Sequence, residues 1–170
     1  MNVVIYINRG DKKEKEMIVL KNLKDVKTVV FKIVGLFPKK KQTKIRSGVQ
    51  ELMMNAVEHG NLGIDWNEKT QLIDSGVYTY QEELNKRLDA NEYDDKTVHV
   101  HYNETDGRNI TLTIRDEGKG FNWQSFVFKN MMDVIDDQNH GRGIIMAKDS
   151  FDQLRYNECG NEVTCVVSLV

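Results

Sequence analysis

Glu51 and Asn55 stand four residues apart in the segment Glu51-Leu52-Met53-Met54-Asn55-Ala56-Val57-Glu58-His59-Gly60. On a helix that spacing places both on one face. Asparagine is a mediocre mid-helix residue because its side chain competes for backbone hydrogen bonds. Its neutral amide oxygen is a hard ligand that suits Mg²⁺, an ion that keeps several waters and takes phosphate oxygens. A carboxylate one turn away can orient or deprotonate a nucleophile beside a metal-bound phosphate. Taken singly, Glu51 also fits a solvated helix face.

Two glycine-bearing segments offer complementary chemistry. Asp116-Glu117-Gly118-Lys119-Gly120-Phe121 directly follows a strand-like run. Gly118 and Gly120 let backbone approach a planar ligand closely, and Asp116 offers a carboxylate to a purine edge. Adenine presents an amino donor to such a group, whereas guanine presents a carbonyl oxygen that repels it. His140-Gly141-Arg142-Gly143-Ile144 opens a helical pattern. Glycines at a helix start expose unpaired N–H groups and the positive dipole end, which suits phosphate. Arg142 fits a phosphate clamp or a surface charge. Each segment alone is also an ordinary turn or cap.

The elements that must position these residues follow from periodicity. Val3–Ile7 and Met17–Leu20 read as two strands around a polar loop, Arg9–Glu14. Leu23, Val26, Val30, Ile33 and Phe37 recur at helical spacing, so a helix runs from Asn22 to just before Pro38. Lys39-Lys40-Lys41 reads as a solvated loop. A second helix spans about Thr43 to His59, its apolar arc built from Ile45, Val49, Leu52, Met53, Ala56 and Val57, with Gly60 as the stop. Residues 61–96 are polar, with helical patches at Glu68–Asp74 and Tyr80–Leu88, and read as an insertion lying on the surface. Thr97–Asn103 and Asn109–Arg115 form a hairpin around Asp106-Gly107. Gly143–Phe151 is helical, and Gln153–Asn157 and Glu162–Val170 form a last hairpin. This order predicts one domain over 1–170: an α/β two-layer sandwich whose mainly antiparallel mixed sheet is covered by helices on one face.

Composition narrows the class. The 170 residues are 39% hydrophobic and 29% charged, with 24 Lys+Arg against 26 Asp+Glu. Such a length suits a single domain with its own core. A formal net charge of -2 argues against a nucleic-acid binder. No apolar run approaches the ~20 residues of a membrane span. The N-terminus lacks a basic segment and a cleavage site, so a cytoplasmic, membrane-free protein is expected. Cys159 and Cys165 form no metal-ligand spacing, and His99 and His101 read as a surface pair on one strand face.

In order and spacing, the three motifs together resemble the Bergerat-fold ATPases that unite gyrase, the Hsp90 chaperone, histidine kinases and MutL. Glu51–Gly60 resembles that family's N box, Asp116–Phe121 its first glycine box and Gly141–Ile144 its second. The similarity runs from about Asn22 to the C-terminus and is greatest to the bacterial anti-sigma-factor serine/threonine kinases. It implies ATP and Mg²⁺ as cofactors. Glu51 would be the general base, Asn55 the Mg²⁺ ligand and Asp116 the adenine anchor. Gly118 and Gly120 would pack beside the base, Gly141, Arg142, Gly143 and Ile144 would face the phosphates, and 122–139 would form an ATP lid. The family's usual Gly-Thr before the final strand is replaced by Gly160-Asn161, whose amide can still hydrogen-bond in the nucleotide site. The implied partner is a small antagonist protein that is phosphorylated, with a sigma factor as a second partner, and a homodimer is compatible. Alternatives are an ATP-binding regulatory module without significant kinase activity, and the catalytic domain of a split histidine kinase.

Overall fold

The computed structural model describes residues 1–105, 107–124 and 142–170. Alternating apolar residues in Asn2–Arg9 (β1) and a two-residue turn bring Lys12–Val19 (β2) back antiparallel. Leu23–Leu36 (α1) begins at a reciprocal cap: Asn22 Oδ1 accepts from the Lys24 N–H, while the Asp25 carboxylate accepts from the Asn22 N–H. Phe37 ends that helix, as the proline after it requires. Lys39–Asn55 (α2) follows at once, with Pro38 as N-cap. The lysine run is therefore the first turn of α2 and not a loop. Proline's fixed φ suits a helix entry, and Lys39 and Lys40 are exposed there.

α2 continues as a π turn, Ala56–Asn61, so Gly60 does not stop it. Trp66–Asp74 (α3), capped by Asp65, and Val77–Leu88 (α4) come next. The remaining elements are Thr97–Thr105 (β3), Asn109–Arg115 (β4), Arg142–Ser150 (α5), Gln153–Tyr156 (β5) and Glu162–Ser168 (β6). No helix among the described residues is long and apolar enough to cross a membrane.

The six strands form one mixed sheet, ordered β2-β1-β3-β4-β6-β5, in which only β1 and β3 run parallel. Its registers set Ile5, Val100, Ile114 and Val163 side by side. All four are buried in the core, with Val29, Ile33, Val49, Leu52 and Met53 from the helices. This is the α/β two-layer arrangement the sequence implies. The other face keeps Tyr6, His99 and His101 half-exposed, the Tyr6 ring stacking on His101 at 4.5 Å.

Residues 61–96 are more than a surface insertion. Leu62, Ile64, Leu84 and Leu88 are buried in the common core, and Asn85 Oδ1 accepts from the Leu23 N–H at the head of α1 (2.9 Å). Four apolar anchors are enough to seat the helical pair, although the segment as a whole is polar. In the middle of α2, Gly48 gives α5 its close approach. A β-carbon at Gly48 would lie 2.5 Å from Ser150 Cβ and 2.7 Å from Phe151 Cε2.

Candidate functional site

A cavity of about 230 Å³ opens between α2, the ends of β4 and β6, and the start of α5. Leu52 and Ala56 of α2 and its π turn, Ile114 of β4, Val163 of β6 and Ile144 of α5 supply apolar walls. Phe121 and Tyr156 add an aromatic corner, their rings edge to face at 5.3 Å. Asn55, Asp116 and Asn161 bring polar groups to the same space, and Gly120 and Gly160 line it.

Asp116 sits where β4 ends. Its N–H donates to Asn161 O (3.0 Å), and its Oδ1 accepts from the Gly118 N–H (2.8 Å). Burial pushes its carboxyl up to about 6, against the stabilising bond from the Gly118 N–H. A partly desolvated carboxylate beside an apolar cavity can hold the amino group of a planar heterocycle while hydrophobic walls take its faces.

The π turn explains how α2 reaches this loop. A β-carbon at Gly60 would lie 2.5 Å from Asp116 Oδ1, and one at Gly118 would lie 2.6 Å from Gly60 O. Gly60 is thus a close-approach residue. It has no left-handed backbone, unlike Gly120 at φ 72°. Asn61, buried behind it, accepts the Glu117 N–H at 2.8 Å and ties the glycine loop to the helix end. Gly120 in turn leaves no space for a β-carbon beside Cys159 O, while Phe121 N–H donates to that same carbonyl (3.0 Å).

At the opposite end, Glu51 meets the second glycine segment. A β-carbon at Gly143 would overlap Glu51 Oε2. Glu51 is half-buried, and burial pushes its carboxyl above its ordinary value; Lys69 opposes this and Glu58 reinforces it. Gly143 belongs to the first turn of α5, where unpaired N–H groups gather. Gly141, the Arg142 side chain and nearly all of the expected lid, 125–139, lie outside the described residues. Of the other expected site residues, Glu51, Asn55, Asp116, Gly118, Gly120, Gly143, Ile144 and Asn161 cluster around the cavity and its rim.

Chain-long spacing and site geometry agree with one comparison. The family profile of the histidine kinase-like ATPase domain matches residues 19–167. The chain belongs to this family. No curated protein matches it. The histidine kinase-like ATPase domain uses ATP, and the geometry fits that ligand. A buried carboxylate and apolar walls are suited to adenine. A cleft held open by glycines, beside a helix N-terminus, is suited to phosphates.

Several residues of this ATPase domain were not evident from motif spacing. His59 lines the cavity. Burial holds its imidazole below the ordinary value, its Nδ1–H donates to Ile64 O (2.5 Å), and its ring packs on Trp66 at 4.4 Å. Asp65 and Trp66, from the start of α3, line the cavity, as do Tyr156 and Glu162. The one local signal was Asp65 before a helical run, an N-cap pattern whose Oδ1 accepts the Glu68 N–H. No group of three or more His, Cys, Asp or Glu suited to a metal occurs among the described residues, His99 and His101 included. That count leaves out Asn55, whose amide oxygen suits an ion shared with phosphates and waters.

Proposed function

We propose that this ATPase domain is an anti-sigma-type serine/threonine protein kinase that uses Mg²⁺ and ATP to phosphorylate a small antagonist protein. The observation that supports this most is the placement of Glu51. It shares a helix face with Asn55 and touches the second glycine segment, so a proton acceptor stands at the phosphate end of the site. Asn55 would offer its amide oxygen to Mg²⁺. Asp116 would fix the base, and the backbone at Gly143 would steady the phosphates. ATP supplies the transferable phosphoryl group. Glu51 would orient the incoming hydroxyl and receive its proton as that oxygen bonds to the γ-phosphorus, while the bond to the bridging oxygen breaks and ADP leaves. Positioning and charge stabilisation then do most of the work.

A sigma factor bound by the same domain would be a second, non-catalytic partner. The experiment is direct: incubate the chain with γ-labelled ATP, Mg²⁺ and small proteins encoded beside its gene. Acid-stable label on serine or threonine of one of them is the expected result. Label on histidine would favour the split histidine kinase. ATP binding with no label on any partner would leave a nucleotide-gated binding module.

A further inference from the structure

The turn between β5 and β6, residues 157–161, is bonded through three of its carbonyls to the segment that begins at Asp116. Asn161 O accepts the Asp116 N–H (3.0 Å), and Cys159 O accepts the Phe121 N–H (3.0 Å). Asn157 O accepts from Trp123 Nε1–H at 2.8 Å. Within that frame two side-chain amides are joined. Asn157 Nδ2 donates to Asn161 Oδ1 (2.8 Å), while Asn157 Oδ1 accepts the Gly160 and Asn161 N–H groups (2.7 and 3.2 Å). Asn161 Nδ2 in turn donates to Asp116 O (3.4 Å) and Gly118 O (3.5 Å). Both ends of the Asn161 amide are spent in this chain of bonds, although Asn161 lines the cavity.

We infer that Asn157 is a positioning residue for the choice of adenine over guanine: it turns the Asn161 amide so that its donor holds the first glycine box and none is offered to the base. This rests on the proposed role of Asp116 as base anchor. A carboxylate accepts from the amino group of adenine. Shifted along the base edge, it accepts equally well from the N1–H and 2-amino group of guanine. Where Asp116 stands therefore decides the base. The carbonyls that Asn161 Nδ2 holds are those of Asp116 itself and of Gly118, two residues on. A freed Asn161 amide would also present a donor to the guanine 6-oxygen, which the Asp116 carboxylate repels. Among the described residues that line the cavity, Asn161 is included and Asn157 is not. Asn157 thus acts through Asn161.

Asn157→Asp and Asn161→Asp each exchange one amide nitrogen for oxygen, so each removes one donor from the chain at nearly constant volume. Calorimetry measures Mg·ATP and Mg·GTP affinities for wild type, both variants and Val29→Ala. Thermal melts confirm that each is folded. Asn157→Ser keeps an acceptor for the turn without adding charge, and it replaces a variant that does not fold. The preference for ATP over GTP should fall by about fivefold in each amide variant, the effect of one hydrogen bond. The added charge weakens both nucleotides alike and cancels in the ratio. Val29→Ala truncates a buried residue of α1 and lowers the melt, yet it should keep the wild-type ratio. A ratio unchanged in the amide variants, or one that falls as far in Val29→Ala, overturns the inference while leaving nucleotide binding intact. A wild type that binds ATP and GTP equally overturns the Asp116 assignment and the inference with it. A wild type that binds neither nucleotide overturns the proposed function itself.

Discussion

Gly143 lies against the carboxylate of Glu51, with no room for a β-carbon between them. One residue comes from the N-box helix and the other from the first turn of α5, and Gly48 lets those helices approach. The absent side chain therefore fixes where the Glu51 carboxylate sits relative to a helix N-terminus.

Gly143→Ala should displace Glu51 while leaving the base pocket alone. Phosphoryl transfer is expected to fall by about 10²-fold, the usual effect of misplacing a catalytic group by ~1 Å. ADP affinity should stay within about threefold of wild type. Single-turnover kinetics and calorimetry on the same preparation check this. Equal losses in both would mean that the change acts on the whole site.

Gly60→Ala should drive a methyl into Asp116 and the Gly60–Gly118 contact. Overpacking of this kind costs about 1–3 kcal/mol, and both melting temperature and ATP affinity should drop. Gly35→Ala is the control, because a β-carbon there meets nothing within 4 Å on helix α1. Its melting temperature should hold or rise. A Gly60→Ala melt as high as that of Gly35→Ala would contradict the close-approach role.

Asp116 makes two opposite pH predictions. Its carboxyl is pushed from its ordinary 3.8 to about 6 in the folded chain. Between those values the folded chain holds a proton that the unfolded chain has released. Stability without ligand is thus fullest below about pH 4 and declines as pH rises through 6, by roughly 2–3 kcal/mol from this group. Asp116→Asn should lessen the decline in urea melts taken from pH 4 to 8. ATP binding should run the other way, weakening as pH falls through about 6, because the neutral acid is a poorer acceptor for an adenine amino group. Asp116→Ala should weaken ATP by roughly 10- to 150-fold, and the wild type should prefer ATP to GTP.

Much of this arrangement was legible in the sequence. Alternation marked the strands, helical spacing marked α1 and α2, and each of the three motifs contains residues that line the cavity, among them Asn55, Asp116, Gly120 and Ile144. What escaped was long-range. The polarity of 61–96 masks the anchors Leu62, Ile64, Leu84 and Leu88, which bury only because the common core, α1 included, meets them. Gly60 looks like a helix stop locally, since a glycine's close-approach role depends on what faces it, here Asp116 from β4. The setting of His59 is equally long-range. Trp66, brought over by the next loop, packs on the ring, and burial lowers the imidazole's affinity for a proton although Ile64 O accepts from Nδ1–H. Lys39-Lys40-Lys41 gives no apolar period, yet Pro38 starts the helix there.

Asn55→Ala should remove the Mg²⁺ dependence of nucleotide binding while leaving the melt near wild type, because Asn55 is not among the core side chains. Calorimetry of ATP with and without Mg²⁺ reads this. A retained Mg²⁺ effect would move the metal to other ligands.

The most direct test of the kinase account is Glu51→Gln, measured for both Mg·ATP affinity and the rate of transfer to a partner hydroxyl. The isostere keeps volume and removes only a proton acceptor. Affinity should equal or exceed that of wild type, since one carboxylate no longer faces the phosphates. Transfer should fall by ~10²–10⁴, the usual contribution of a positioned acid or base. Wild type and variant turning over at the same rate would contradict the account.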